Sequence, residues 1–167
     1  MIVSEYNIPF PHKKEGSLEH DNFLIRKDAT KDISLFLSEN NKMIYISAYH
    51  KQFPRTIFLG TRMEYPKGYR VFSDKEMLIE SDQEICDSVM VAARQAEKVL
   101  LVIDMSILDP VFSKRNVPSE QGGLTPRELQ YYVYRIKNLS NLNHYIIQGE
   151  PNSMATIIRH LSRGSNH

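Results

Sequence analysis

The sequence predicts an α/β fold, a three-layer α/β/α domain with a mainly parallel sheet, and two observations carry that expectation. First, short apolar runs rich in β-branched residues alternate with longer segments whose apolar residues recur at helical spacing. Strands alternating with helices pack as a parallel sheet with helices on its faces. Second, the apolar run Val99–Ile103 is followed by Asp104, Ser106 and Asp109, then by a loop holding Pro110, Pro118 and the pair Gly122-Gly123, then by a helix start. In an open α/β sheet, ligands bind outside the carboxyl ends of the strands, which puts Asp104 and Ser106 at the rim where any chemistry would occur.

Taken in order, Ile2–Pro9 reads as a short first strand and His12–Asp21 as a polar loop. Asn22–Arg26 is a second short strand. Thr30–Glu39 reads as a helix with Thr30 as N-cap and Ile33, Phe36 and Leu37 on one face, ended by Asn40-Asn41. Met43–Ala48, Thr56–Gly60 and Tyr69–Phe72 read as strands, with Pro54, Pro66 and Gly68 marking the breaks. Gln83–Lys98 carries Ile85, Val89, Ala92, Ala93 and Ala96 at helical spacing. Val99–Met105 is the central strand. Thr125–Leu139 is a helix whose start has Thr125 as N-cap, Pro126 at the first helical position and Glu128 three residues after the cap, a capping box with proline in its favoured place. His144–Gln148 is a further strand, Ser153–Ser162 a final helix, and the tail from Arg163 to His167 is expected to fray.

At 167 residues, 41% of them hydrophobic, the chain can bury a sizeable core as one domain, and no repeat, low-complexity stretch or linker divides it. A net charge of +1 gives no electrostatic argument for a nucleic acid or an anionic membrane, and the basic residues form no patch interleaved with aromatics. No segment is long and apolar enough to span a bilayer, and the first residues lack a basic region followed by an apolar one, so a cytoplasmic location is the expectation. Cys86 is the single cysteine, which excludes an internal disulfide and a multi-cysteine metal site; on a helix it reads as a buried, inert thiol. Tyr131 and Tyr134, three apart on a helix, share a face and read as packing or subunit contact, with Tyr132 beside them.

The segment from Asp104 to Glu128 resembles the ureohydrolase family (arginase, agmatinase, formimidoylglutamase). Those enzymes carry a strand ending in Asp-x-Asp-x-x-Asp-Pro, a proline-rich loop, and Gly-Gly-Leu-Thr-x-Arg-Glu. Here the matching residues are Asp104, Met105, Ser106, Ile107, Leu108, Asp109 and Pro110, then Gly122, Gly123, Leu124, Thr125, Pro126, Arg127 and Glu128. Gly60 and Arg62 match a family strand ending in Gly-x-Arg. The resemblance implies an arginase/deacetylase-like fold reduced in size, here a single shortened domain over residues 1–167, lacking whole pieces of the longer family fold.

It also implies a binuclear metal centre with six protein ligands, and there the chain departs from the family. The second aspartate of the motif is Ser106. The family's Asp-Ala-His-x-Asp segment is matched by Ser47, Ala48, Tyr49, His50 and Lys51, so Ser47, Tyr49 and Lys51 stand where two carboxylates and an imidazole would be. The family's Gly-Gly-Asp-His segment has no counterpart. Apart from the ligands, a family glutamate that contacts the guanidinium group lies three residues before a proline, and is matched, through Pro151, by Gln148. Glu150 lies close by, but strand alternation would not put it in the same place. Only Asp104 is retained. A lone carboxylate cannot hold two Mn²⁺ ions, and the family reaction needs two ions to acidify a bridging water. Asp109, by the same resemblance, bonds the loop backbone.

These substitutions predict a non-catalytic ureohydrolase-fold protein, a pseudoenzyme with a binding, regulatory or assembly role, whose degenerate rim comprises Ser47, Tyr49, His50, Lys51, Asp104, Ser106 and Gln148. No cofactor is expected. Lys51, after a strand end, reads first as a solvated lysine; the alternative is that its ammonium enters the space the cations left and pairs with Asp104, because a carboxylate taken out of water without a cation is unfavourable. The resemblance implies a homo-oligomer, or a hetero-oligomer with an active relative, and a pocket for a small molecule. The alternative is an enzyme: a guanidino-compound hydrolase with one Mn²⁺ or other divalent metal held by Asp104 and His50, completed by His12 or His20, since a single catalytic metal usually takes three protein ligands. The loop histidines read otherwise as solvated. For a metal-free hydrolase, no residue reads as a nucleophile with its base; Ser47 or Ser106 near His50 would need a hydrogen-bond geometry that sequence does not supply.

Overall fold

Among the described residues, six strands run in the same direction in one sheet, in the order β1-β6-β5-β2-β3-β4. They are β1 Asn22–Arg26, β2 Lys42–Ile46, β3 Thr56–Thr61, β4 Arg70–Ser73, β5 Val99–Asp104 and β6 Leu142–Gln148. The helices are α1 Thr30–Leu37, α2 Asp74–Ile79, α3 Asp82–Ala93 and α4 Pro126–Ile136. This architecture comes from a computed structural model that describes residues 22–49, 51–63, 65, 67–112, 123–149, 157 and 161.

Parallel strands are buried on both faces and read as continuous apolar runs. Accordingly β3 is buried throughout, and β2 and β5 are buried at all but one position each. Alternation divides their side chains between two cores. Ile44, Ile46, Leu59, Leu101, Ile103 and Ile147 face α3 and α4, which contribute Ile85, Val89, Leu129 and Val133. Met43, Tyr45, Phe58, Leu100, Val102 and Ile146 face the other way, against Ile33 and Leu37 of α1. The three-layer expectation therefore holds, with α1 on one face and α3 and α4 on the other.

Most element bounds fall within a few residues of those expected, and the differences have local causes. The first turn of α1 is not capped by Thr30. Ala29 occupies the cap position without a side-chain bond, while Asp28 Oδ1 accepts from both the backbone N–H and the hydroxyl of Thr30. Helix α3 stops at Ala93 rather than Lys98, because Asn141 Nδ2 donates to the carbonyls of Ala93 and Ala96 at 3.0 and 2.8 Å and ends the helix there. Helix α2 was not expected; its start is fixed by Ser73, whose hydroxyl accepts from the Glu76 N–H. The α4 capping box forms as read, with Thr125 and Glu128 exchanging side-chain-to-backbone bonds of 3.2 Å. Tyr132 on α4 is fully buried and donates to Asp82 of α3 at 2.6 Å, while Tyr134 is exposed and Tyr131 lies half-buried beside Arg135. Cys86 is buried. The expected strand Ile2–Pro9 and loop His12–Asp21 lie outside the described residues, as does most of Ser153–Ser162, of which Ile157 and Leu161 are helical and packed on the core.

Candidate functional site

From β2 the chain steps outward to β3 and β4, then returns through α3 to β5 on the other side of β2. The strand order reverses between β2 and β5, and in open α/β sheets that switch point is where ligands bind, outside the carboxyl ends. Ser47 follows β2, Asp104 ends β5, and Gln148 ends β6 directly opposite Asp104 in the register. Residues distant in sequence are thus delivered to one rim by strand pairing alone.

Asp104 turns the chain into a short 3-10 turn, Met105–Ile107. Its Oδ1 accepts from the Ser106 N–H at 2.8 Å, and its Oδ2 accepts from Gln148 Nε2 at 2.6 Å. The other end of the Gln148 amide, Oε1, accepts from the Ala29 N–H at 2.8 Å, at the start of α1. Ser47 and Ser106, both buried, face one another with their hydroxyl oxygens 3.1 Å apart. Ser106 Oγ also accepts from the Ala48 N–H and Ser47 Oγ from the Tyr49 N–H, at 3.2 and 3.1 Å. Buried polar groups need partners, and here they find them in each other and in the backbone. Tyr45, which the sequence reading missed, lies at the same place. Burial pushes its phenol up to about 12, the Asp104 charge adds to that, and hydrogen bonding from Ser47 and Gln148 opposes it. The available signal was a tyrosine inside an otherwise apolar strand, since a buried phenol hydroxyl usually finds a polar partner.

The structure brings Ser47, Asp104, Ser106 and Gln148 together. It does not bring Lys51 to Asp104. Lys51 Nζ donates to Thr30 Oγ1 at 3.1 Å and lies 3.9 Å from Asp28 Oδ1. The alternative pairing does not form: Lys51 is partly solvated beside Asp28, an exposed carboxylate on the loop entering α1, while the Asp104 carboxylate accepts from two neutral donors. Tyr49 is partly exposed beyond the rim. His50, His12, His20, Glu150 and Pro151 lie outside the described residues. Asp109 bonds the loop backbone, accepting from the Val111 N–H at 3.0 Å.

The loop after the 3-10 turn is held against Gly123-Leu124. Leu124 N–H donates to the Ile107 carbonyl at 2.8 Å and Asp109 N–H to the Leu124 carbonyl at 2.9 Å. Gly123 has φ +123°, and a Cβ there would stand 2.4 Å from Arg62 Nη2, 2.7 Å from the Asp109 nitrogen and 2.8 Å from the Ile107 oxygen. Gly60 faces a similar approach, since a Cβ would meet Ile107 Cδ1 at 2.1 Å. Gly60, Gly123 and Leu124 therefore pack on the segment that follows Asp104.

A pair of divalent ions needs several anionic oxygens or imidazoles. The described rim offers one carboxylate, two serine hydroxyls, an amide and a phenol held in its neutral form. Among the described residues no group of three His, Cys, Asp or Glu side chains could hold a metal ion. This donor set does not fit a binuclear centre.

No protein-family model and no curated protein matches the sequence. Solved structures do match the fold. Arginase from Bacillus caldovelox superposes with a TM-score of 0.71 at 13% identity, over 86% of this chain and 69% of that one. Formimidoylglutamase from Bacillus subtilis gives 0.66 at 13% identity, over 85% and 60%. A hypothetical agmatinase from Burkholderia thailandensis gives 0.66 at 12% identity, over 84% and 56%. The chain spans less than two thirds of the latter two. Its fold is that of the ureohydrolases, as the motif resemblance implied.

Proposed function

We propose that this arginase-fold chain is a non-catalytic protein that acts by binding or assembly. One observation carries the reading: both oxygens of Asp104, the one carboxylate retained from the family ligand set, are engaged by neutral donors, Ser106 N–H and Gln148 Nε2. In the ureohydrolase reaction, metal ions lower the pKa of a bound water so that hydroxide attacks a guanidinium carbon. Here the neighbours of the carboxylate are neutral side chains that satisfy one another.

A binding role has its own support. An open groove of about 540 Å³ runs along α1, lined by Thr30, Ser34, Leu37, Lys51, Phe53 and Arg55, a volume in the range of small-molecule sites. Assembly with copies of itself or with an active relative, and a cytoplasmic location, are parts of the same proposal. The alternative, a guanidino-compound hydrolase with a single metal, needs His50 and a loop histidine to join Asp104.

One experiment separates these readings. The protein is purified without chelator, its Mn, Zn, Ni and Fe content is measured, and urea release from arginine and agmatine is assayed with added Mn²⁺. No stoichiometric metal and no turnover is the expected result. Stoichiometric metal together with turnover overturns the proposal in favour of the enzyme.

A further inference from the structure

The geometry points to Gln148 as a lock: it holds the Asp104 carboxylate with a neutral donor and fastens α1 to the sheet. One planar amide makes both connections, donating to Asp104 Oδ2 at 2.6 Å and accepting from the Ala29 N–H at 2.8 Å. Because α1 supplies the Ile33 and Leu37 side chains that cover one face of the sheet, the amide ties the placement of that layer to the rim.

The partners fix the chemistry. Asp104 can only accept when ionised, so the group facing Oδ2 must donate. Ala29 N–H can only donate, so the group facing it must accept. An amide offers one of each at a fixed separation. A glutamate at position 148 would satisfy Ala29 but would set two carboxylate oxygens within about 3 Å of each other, a repulsion that a cation or a proton must relieve. Position 148 therefore decides whether the rim is closed by a neutral side chain or opened to a cation, and glutamine closes it. This rests on the reading of the rim as metal-free.

The test exchanges the two groups. Gln148→Glu alone, in EDTA at pH 7.5, is expected to lower the melting temperature by at least about 5 °C. Combining it with Asp104→Asn puts the amide on β5 and the carboxylate on β6. That swap preserves the acceptor for Ala29, the acceptor for Ser106 N–H and the donor between them. It is expected to recover at least half of the loss, and the recovery still reads out where the single variant fails to fold. Gln148→Leu, with neither bond, is expected to be destabilised and not rescued by Asp104→Asn. A swap no more stable than Gln148→Glu, or a Gln148→Glu variant as stable as the wild type in EDTA, overturns the lock. Stoichiometric metal in the wild-type protein strikes instead at the metal-free reading, so the two failures are distinguishable.

Discussion

Replacing Gly123 by alanine probes whether the loop after β5 is held by close backbone packing. The new methyl group would stand 2.7 Å from the Asp109 nitrogen and 2.8 Å from the Ile107 oxygen, both backbone atoms that cannot swing aside. Two costs add. A side chain at φ +123° carries backbone strain of about 1–3 kcal/mol. Forcing a methyl group into a filled site adds about 1–3 kcal/mol. The sum, about 2–6 kcal/mol, is a large part of a typical domain stability of about 5–15 kcal/mol. Gly68→Ala is the matched control: its φ is +97°, but nothing lies within 4 Å of the added Cβ, so it should show the strain alone. Urea unfolding followed by circular dichroism measures both. With m near 2 kcal/mol/M, the Gly123 variant should lose about 1 M or more in midpoint at unchanged m, and clearly more than the Gly68 variant. Equal midpoint losses for the two variants would show that the approach to Asp109 and Ile107 adds nothing, and the packing argument would fail.

Other expectations follow from single contacts. Tyr132→Phe removes a 2.6 Å bond to Asp82 and should cost about 1–3 kcal/mol in the same unfolding assay; a loss below about 0.3 kcal/mol would mean that the bond does not join α3 to α4. Burial pushes the Cys86 thiol up to about 12, so it should resist alkylation at pH 8 until the chain unfolds; labelling of the folded protein at the rate of a free thiol would contradict that placement. Burial, helped by the Lys98 charge, lowers the pKa of His144 from its ordinary 6.5. The unfolded chain then binds the proton more readily than the folded one. The stability that depends on neutral His144 is complete above about pH 6.5 and is lost as pH falls through the lower folded-state value. Wild type should therefore lose more stability than His144→Gln on going from pH 7.5 to pH 5, and parallel curves would refute the shift.

The elements most legible in the sequence were those with local, redundant signals. The run Val99–Ile103 could be read as a strand because a parallel strand is apolar on both faces. The start of α4 could be read because proline, threonine and glutamate each mark the same turn. Helix α2 was legible in principle, since Ser73 and Glu76 have the same cap spacing, but six residues with no buried side chain give no periodicity to notice. The convergence of Asp104 with Gln148 was reached through motif resemblance; nothing local to Gln148 shows that its amide spans Ala29 and Asp104. The neighbours of Lys51 were illegible for the same reason. Asp28 stands 23 positions earlier in the chain and meets the lysine only after β1 and β2 take their separate places in the sheet. Local chemistry names the groups; which of them meet is set by strand order.

A sheet whose strands all point one way sends the carboxyl end of every strand to the same side of the molecule. Single substitutions at Ser47, Ser106 or Gln148 therefore fall on neighbouring ground, although about a hundred positions separate the first from the last. These residues follow or end their strands, so a change there acts first on the contacts of the rim and reaches the layers through them, as Gln148 does through Ala29. A scaffold of this kind can exchange charged side chains for neutral ones at its crest, provided that the new neighbours still satisfy one another.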